Sequence, residues 1–130
     1  MPEKKTAILL MAHGSRIAEA NEAAVEIAGM VREMTGYDIV EVAFRELHQP
    51  DIQQGIDSCV AQGAKRVLLI PYFLFVGAHV LHDLPEELTA GMARHPGVEM
   101  VMGPHLGVHR KLAEVVVERI AQGLTATGWY

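Results

Sequence analysis

Four short apolar runs, each followed by a stretch of helical periodicity, constrain this chain more than any other feature. The runs are about Thr6–Ala12, Asp38–Phe44, Arg66–Ile70 and Val98–Met102. Each is strand length, and the third is apolar at successive positions, as expected of a strand covered on both faces. After the first run, Ile17, Ala20, Ala24, Ile27, Val31 and Met34 fall on one side of a helix predicted over Ala18–Thr35, which Gly36 closes. Pro50 suits the first turn of a second helix, with Ile52, Ile56, Cys59 and Val60 as its buried stripe and Gly63 as its stop. Asp83 with Glu86 three residues on resembles a capping pair for a third helix carrying Leu84, Leu88 and Met92. Because Pro85 is tolerable early in a helix and disruptive later, His79 is expected in a turn or a distorted entry. A fourth helix, about Val108–Gly123, sets Leu112, Val116, Ile120 and Leu124 at regular spacing. Residues 124–130 form a tail without pattern, whose Trp129 and Tyr130 are candidates to pack on the domain or on a partner.

Four βα units with short connections predict an α/β fold: a doubly wound, four-stranded parallel sheet with helices on both faces. The 130 residues fit one domain, 1–130, with enough chain to bury a core. Half the residues are hydrophobic but only 5% aromatic, so aliphatic side chains must fill that core. No apolar run reaches the roughly 18–20 residues of a membrane span, and the run after Met1–Lys5 is too short and wrongly flanked for a signal peptide. The expectation is a chain without membrane attachment. The lone Cys59 excludes an internal disulfide and a thiolate zinc cage; it fits a reducing cytoplasm and an inert packing role. A net charge of −5 argues against nucleic acid as the main partner. It leaves room for a polyanionic small molecule held by local arginines and helix N-termini.

In such sheets ligands bind outside the carboxyl ends of the strands. The residues just past those ends are His13–Arg16, Arg45–His48, Tyr72–His82 and Gly103–His105. Topology therefore directs His13, Glu46 and His79 towards one crevice. Two imidazoles and one carboxylate would bind a divalent ion while leaving coordination positions open, whereas a closed tetrahedral cage would trap it. Imidazole is also the side chain suited to accepting protons near neutral pH. Insertion of a divalent metal into a tetrapyrrole needs both abilities, since the ion must lose water and the macrocycle must lose two protons.

Those loops also carry a family likeness. His13-Gly14-Ser15-Arg16 follows the first strand, and Phe44-Arg45-Glu46-Leu47 with Pro50 follows the second. Pro71-x-Phe73-Leu74-x-x-Gly77-x-His79 with Asp83-x-Pro85 follows the third, and Gly103-Pro104 with Leu106-Gly107 and His109 the fourth. Together and in this order they resemble the small CbiX-type sirohydrochlorin chelatases (class II chelatases) over nearly the whole chain. The resemblance implies a chelatase fold and ATP-independent insertion of cobalt, nickel or iron into sirohydrochlorin. Cobalt, on the way to a corrinoid, is the leading expectation. It implies His13 and His79 as the paired metal-binding and proton-accepting residues, and no cofactor beyond the substrate ion. Larger relatives hold two such domains, so the short form is expected to work as a homodimer.

Each assignment has a plainer rival. For His13 and His79 the rival is a turn-shaping role, but position and motif favour function. For Glu46, the third metal-ligand candidate, the rival is pairing with Arg45 or capping the next helix. Gly14, Ser15, Arg16, Arg45 and Phe73 are candidates for the tetrapyrrole, with Ser15 also suited to fixing its turn. Phe73, Leu74 and Phe75 read as core or cleft wall, with one or more able to touch a flat ring. His82 reads as a solvated loop residue within reach of a secondary metal contact, and His105 as exposed; His48, His95 and His109 read as surface or helix-end residues. A non-catalytic metal or tetrapyrrole carrier is the alternative from another class. A histidine phosphatase would want arginine where Ala12 stands, and no G-x-G-x-x-G follows the first strand to mark a dinucleotide site.

Overall fold

A computed structural model of the chain describes residues 5–129. Met1–Lys4 and Tyr130, on which part of the leader and tail readings fell, lie outside the described residues. The elements alternate as expected: β1 (Thr6–Ala12), α1 (Ala18–Thr35), β2 (Ile39–Phe44), α2 (Ile52–Ala61), β3 (Arg66–Pro71), α3 (Ala78–Arg94), β4 (Glu99–Met102) and α4 (Arg110–Thr127). All pairings are parallel, in the order β2-β1-β3-β4. β1 is central, and its residues 7–12 are all buried. The chain turns back between β1 and β2 but forward from β3 to β4, so the carboxyl ends of β1, β2 and β3 surround a switch point.

Side chains alternate across the sheet and divide the core in two. On one face Leu9, Met11, Val67, Leu69 and Met100 meet Ile56 and Cys59 of α2 and Val80 and Leu84 of α3. On the other, Ile8, Leu10, Val40, Val42 and Phe44 meet Ala24 and Ala28 of α1. Small residues on α1 let it lie close to the sheet. Burial pushes the Cys59 thiol up to about 12, with Glu41 adding to the shift, which leaves it a packing group.

Three local expectations change. α2 begins after Pro50, because Asp51 closes a capping box with Gln54: Asp51 Oδ1 accepts from the Gln54 N–H at 2.8 Å and Gln54 Oε1 from the Asp51 N–H at 2.8 Å. The Gln49–Pro50 peptide is cis. α3 begins at Ala78, so His79 stands in a helical first turn and Pro85 falls inside the helix. Extended Gly77 provides the N-cap, and buried Val80 and Leu84 fasten the early turns. Asp83 caps nothing; its carboxylate is taken by Arg45. Finally, α4 runs on to Thr127 through most of the expected tail, and it buries none of its residues. Trp129 is exposed. Among the described residues no helix is long and apolar enough to cross a membrane.

Candidate functional site

The carboxyl edge of the sheet is stitched together beyond the strands themselves. The Arg45 N–H donates to the Ala12 carbonyl at 2.8 Å, the Glu46 N–H to the His13 carbonyl at 3.1 Å, and the Tyr72 N–H to the Met11 carbonyl at 2.8 Å. The loops bearing His13 and Glu46 thus continue the β1–β2 ladder. Gly14 makes this approach possible. Its φ is +91°, and a Cβ there would lie 1.8 Å from the Glu46 carbonyl oxygen.

Within this frame His13 is exposed, and its ring lies on that of buried Phe73, with centroids 4.0 Å apart and planes tilted by 35°. His79, also exposed, follows the same β3–α3 loop as the second residue of α3. Glu46 is exposed and its carboxylate lies 3.5 Å from Arg45 Nη1. All three proposed ligands therefore stand at one end of the sheet. Their ligand atoms do not form a compact trio: among the described residues the triad within 4.8 Å is His82, Asp83 and Glu86, one turn further along α3.

The remaining candidates have definite partners. Ser15 Oγ accepts from the Ile17 N–H at 3.0 Å, which fixes its own turn. Arg16 is exposed, with no ion pair among the described residues. Arg45 is half-buried, and its Nη2 donates to Asp83 Oδ2 at 2.7 Å, tying the β2 loop to α3. That hydrogen bond, with the charge behind it, holds the Asp83 carboxyl below the usual carboxylate range. Arg45 Nε is buried without a partner. Phe73 is buried beneath His13, whereas Leu74 and Phe75 project outward, Phe75 being 83% exposed. His48 packs edge-on against Phe44, His95 ends α3, and His109 caps α4 through Nδ1, so these three keep the surface and helix-end parts expected of them. His105 is exposed as well.

Sequence reasoning missed Asn21. It is the buried polar residue among the described residues, and it clasps Ser15 from both sides. The Ser15 N–H donates to Asn21 Oδ1 at 2.9 Å, and Asn21 Nδ2 donates to the Ser15 carbonyl at 2.8 Å. An asparagine six residues past such a loop, on the helix side that faces the sheet, was the available signal.

Two clefts lie by the loops that follow β1 and β2, one lined by His13 and the other by Glu46. One, of about 440 Å³, runs along α1 and is walled by Ala20, Ala24, Ile27, Phe44 and Tyr72, with His13 at its rim. The other, of about 530 Å³, lies between the β2 loop and α3 and is lined by Glu46, Asp51, Asp83, Glu86 and Glu87 around Arg45. Burial raises the Glu87 carboxyl above its ordinary value; the Gln53 hydrogen bond opposes this and the charges of Asp51 and Asp83 add to it. The first cleft suits a flat apolar body, the second a cation. An imidazole in the apolar cleft, on a loop tied to that of Glu46 in the acidic one, is the arrangement to explain.

The CbiX family profile matches residues 7–123. The chain belongs to the CbiX family. Among CbiX-like proteins, the chloroplastic sirohydrochlorin ferrochelatase of Arabidopsis thaliana is 43% identical over 119 residues, covering 91% of this chain and 52% of that protein. The sirohydrochlorin chelatase SirB of Bacillus subtilis subspecies spizizenii, solved with cobalt, superposes with a TM-score of 0.84 at 31% identity, over 91% of this chain and 50% of its own. A CbiX protein of Marinobacter aquaeolei VT8 superposes with a TM-score of 0.79 at 25% identity, over 93% of this chain and 98% of its own. The chain spans about half the length of the ferrochelatase relatives it matches, at 43%, 52% and 44% of them. Relatives named cobaltochelatase and ferrochelatase both occur, and some of the former are matched over nearly their full length.

Proposed function

We propose that this CbiX chain inserts a divalent metal ion into sirohydrochlorin without ATP. The observation that carries the proposal is His13, braced on Phe73 in the lining of an apolar cleft, on a loop hydrogen-bonded to that of Glu46, which lines an acidic one. The macrocycle would rest on the apolar side, where Tyr72 and the small residues of α1 admit a flat ring and the outward Leu74 and Phe75 can close over it. A peripheral carboxylate would meet Arg16. The ion would approach past Glu46 and the other acids, whose charge raises its local concentration.

Insertion forms metal–nitrogen bonds to the ring as two pyrrole N–H bonds break, releasing two protons and leaving net charge balanced. His13 and His79 would hold the partly dehydrated ion and take up those protons, while Glu46 assists charge balance. Arg45, already engaged by Asp83, keeps the acidic wall in place rather than reaching for substrate. Gly14 and Ser15 shape the loop on which this depends. Cobalt is the ion to test first, because relatives matched over nearly their whole length are named cobaltochelatases. Iron is its rival on the ferrochelatase names, and nickel follows by similarity of size and charge. Work as a pair of identical units in the reducing cytoplasm completes the proposal.

The test follows the visible spectrum of sirohydrochlorin with each ion, for wild type, His13→Ala and His79→Ala. The proposal expects accelerated insertion that falls at least about a hundredfold in each variant, the lower end of the ordinary scale of a proton-transfer group. Insertion no faster than without protein, for all three ions, rejects it. Tight stoichiometric binding without acceleration would make the chain a carrier instead.

A further inference from the structure

The second turn of α3 carries metal-binding groups that the insertion chemistry above leaves unused. His82, Asp83 and Glu86 each offer a donor atom within 4.8 Å of the other two. His82 Nδ1 lies 3.7 Å from Asp83 Oδ1 and 3.7 Å from Glu86 Oε1. Those separations are too long for hydrogen bonds, so the three groups converge without joining. They are close to what a single ion requires: donors about 2.1 Å from a tetrahedral ion stand roughly 3.4 Å from one another. Small rotations supply the difference, since the His82 and Glu86 side chains are 73% and 69% exposed.

Three features separate this set from a chance meeting of surface charges. It joins an imidazole to two carboxylates, a mixture suited to cobalt or nickel rather than to magnesium or calcium. Asp83 is held in place beforehand: Arg45 Nη2 donates to its Oδ2 at 2.7 Å, which leaves Oδ1 on the side of His82. An outer hydrogen bond of this kind orients a carboxylate for a metal. Asp83 and Glu86 also line the acidic cleft together with Glu46 and Glu87, whose charges draw cations towards it. The set begins at the fifth residue of α3, past the first turn, where the positive end of the helix would oppose a cation.

Its spacing points back to the candidate site. His79, His82, Asp83 and Glu86 stand at i, i+3, i+4 and i+7 of α3 and so share one face of the helix. Neighbours on such a face have Cβ atoms about 5–6 Å apart. Each Cα–Cβ bond tilts towards the helix N-terminus, which inclines the outer donors towards His79.

We propose that His82, Asp83 and Glu86 form a second divalent-ion site, which captures an ion such as cobalt(II) or nickel(II) at the surface and passes it one helical turn to His79. The capture site stands by itself; only the passage to His79 rests on the chelatase reading. Passage is ligand exchange: bonds from the ion to the outer donors break as a bond to the His79 imidazole forms, and the ion stays divalent. Three exposed donors leave the other coordination positions to water, so the ion is held without being trapped.

The test uses the full chain in two backgrounds. In a His13→Ala/His79→Ala variant, which lacks the candidate insertion pair, titration with cobalt(II) is followed by calorimetry and by the visible absorption of the bound ion. One bound ion per chain is expected, with no displacement by magnesium. Adding His82→Ala is expected to weaken that ion at least about tenfold, the scale on which even outer hydrogen-bonding partners act. Glu86→Gln, which keeps the shape and removes the charge, is expected to weaken it as well. Both side chains are exposed, so circular dichroism should be unchanged. No bound ion in the double variant, or an affinity unmoved by His82→Ala and Glu86→Gln, overturns the site. With His13 and His79 intact, His82→Ala is expected to raise the cobalt concentration for half-maximal insertion more than it lowers the maximal rate. An ion requirement unmoved by His82→Ala overturns the passage to His79. A protein that binds the outer ion but inserts none rejects the chelatase reading and leaves the capture site standing.

Discussion

The two faces of the sheet are built to different ends. The α2–α3 face is closed by packing: Ile56 and Cys59 from α2 and Val80 and Leu84 from α3 meet the odd-numbered residues of β1 and β3. The α1 face is covered only in part, and its one helix gives a buried position to Asn21, which packs no hydrocarbon but clasps the loop of His13. The same sheet thus has one side sealed by packing, with His79 and the acidic cleft at the edge of its helices, and another that carries the apolar cleft and leaves a surface bare. A chain can keep a partly open face only if the opposite one is well sealed, since net stability is a small difference between large opposing contributions.

The sharpest way to break this comparison is truncation on each face. Ile56→Ala, at a fully buried position, is expected to cost about 2–5 kcal/mol, the range for a large-to-small change in a core. Val101→Ala on the open face is expected to cost no more than about 0.5 kcal/mol at concentrations where the protein is monomeric. Urea unfolding of both measures the contrast, and equal losses would abolish it.

Next in size is Gly14→Ala, which tests whether the site depends on the close approach of two loops. A Cβ 1.8 Å from the Glu46 carbonyl oxygen forces the His13 and Glu46 loops apart. A displacement of about 1 Å at a reacting group can cost on the order of a hundredfold in rate, and a loss of that order in metal insertion is expected. The α2–α3 core should barely notice, so near-unchanged tertiary circular dichroism is the companion result. Asn21→Ala is gentler. It leaves the Ser15 N–H and carbonyl without their partner, at about 1–3 kcal/mol if water does not replace it. Its signature is a raised exchange rate for the Ser15 amide hydrogen, with the α2–α3 amides unaffected.

How much of this the sequence disclosed depends on the range of the interaction. Strands show themselves as apolar runs, because a central parallel strand is buried on both sides whatever surrounds it; residues 7–12 are the clear case. His13 and Glu46 were placed at the carboxyl edge by topology alone. The start of α3 was misjudged because Asp83 and Glu86 satisfy a local capping pattern, while the deciding facts are extended Gly77 and the burial of Val80. The Arg45–Asp83 pair joins residues 38 apart, and no local pattern announces it. α4 was legible as an amphipathic helix, but a stripe does not name the surface it covers. The two clefts arise from helices meeting loops and leave no trace in any one segment.

The smallest expected effect sits on the closed face, where α2 and α3 are bolted together by Asp57. Its Oδ2 accepts from Arg94 Nη2 at 2.6 Å, and its Oδ1 lies 2.7 Å from His95 Nε2. Burial opposes ionisation of this carboxyl, but the hydrogen bonds from Arg94 and His95 prevail and hold its pKa below the ordinary 3.8. A carboxyl whose pKa is lower folded than unfolded binds fewer protons when native, so it contributes stability above the unfolded value. That contribution fades as pH falls below 3.8 through the lowered native value. Because the side chain is 40% exposed, solvent screens the pair and the contribution at neutral pH is at most about 1 kcal/mol. Asp57→Asn should therefore trail wild type by that much in urea at pH 7 and converge with it as acid protonates the wild-type carboxyl. Added salt should shrink the gap at pH 7 as well. A gap that persisted undiminished in acid would mean that Asp57 acts through shape rather than charge, and that the closed face is held by packing alone.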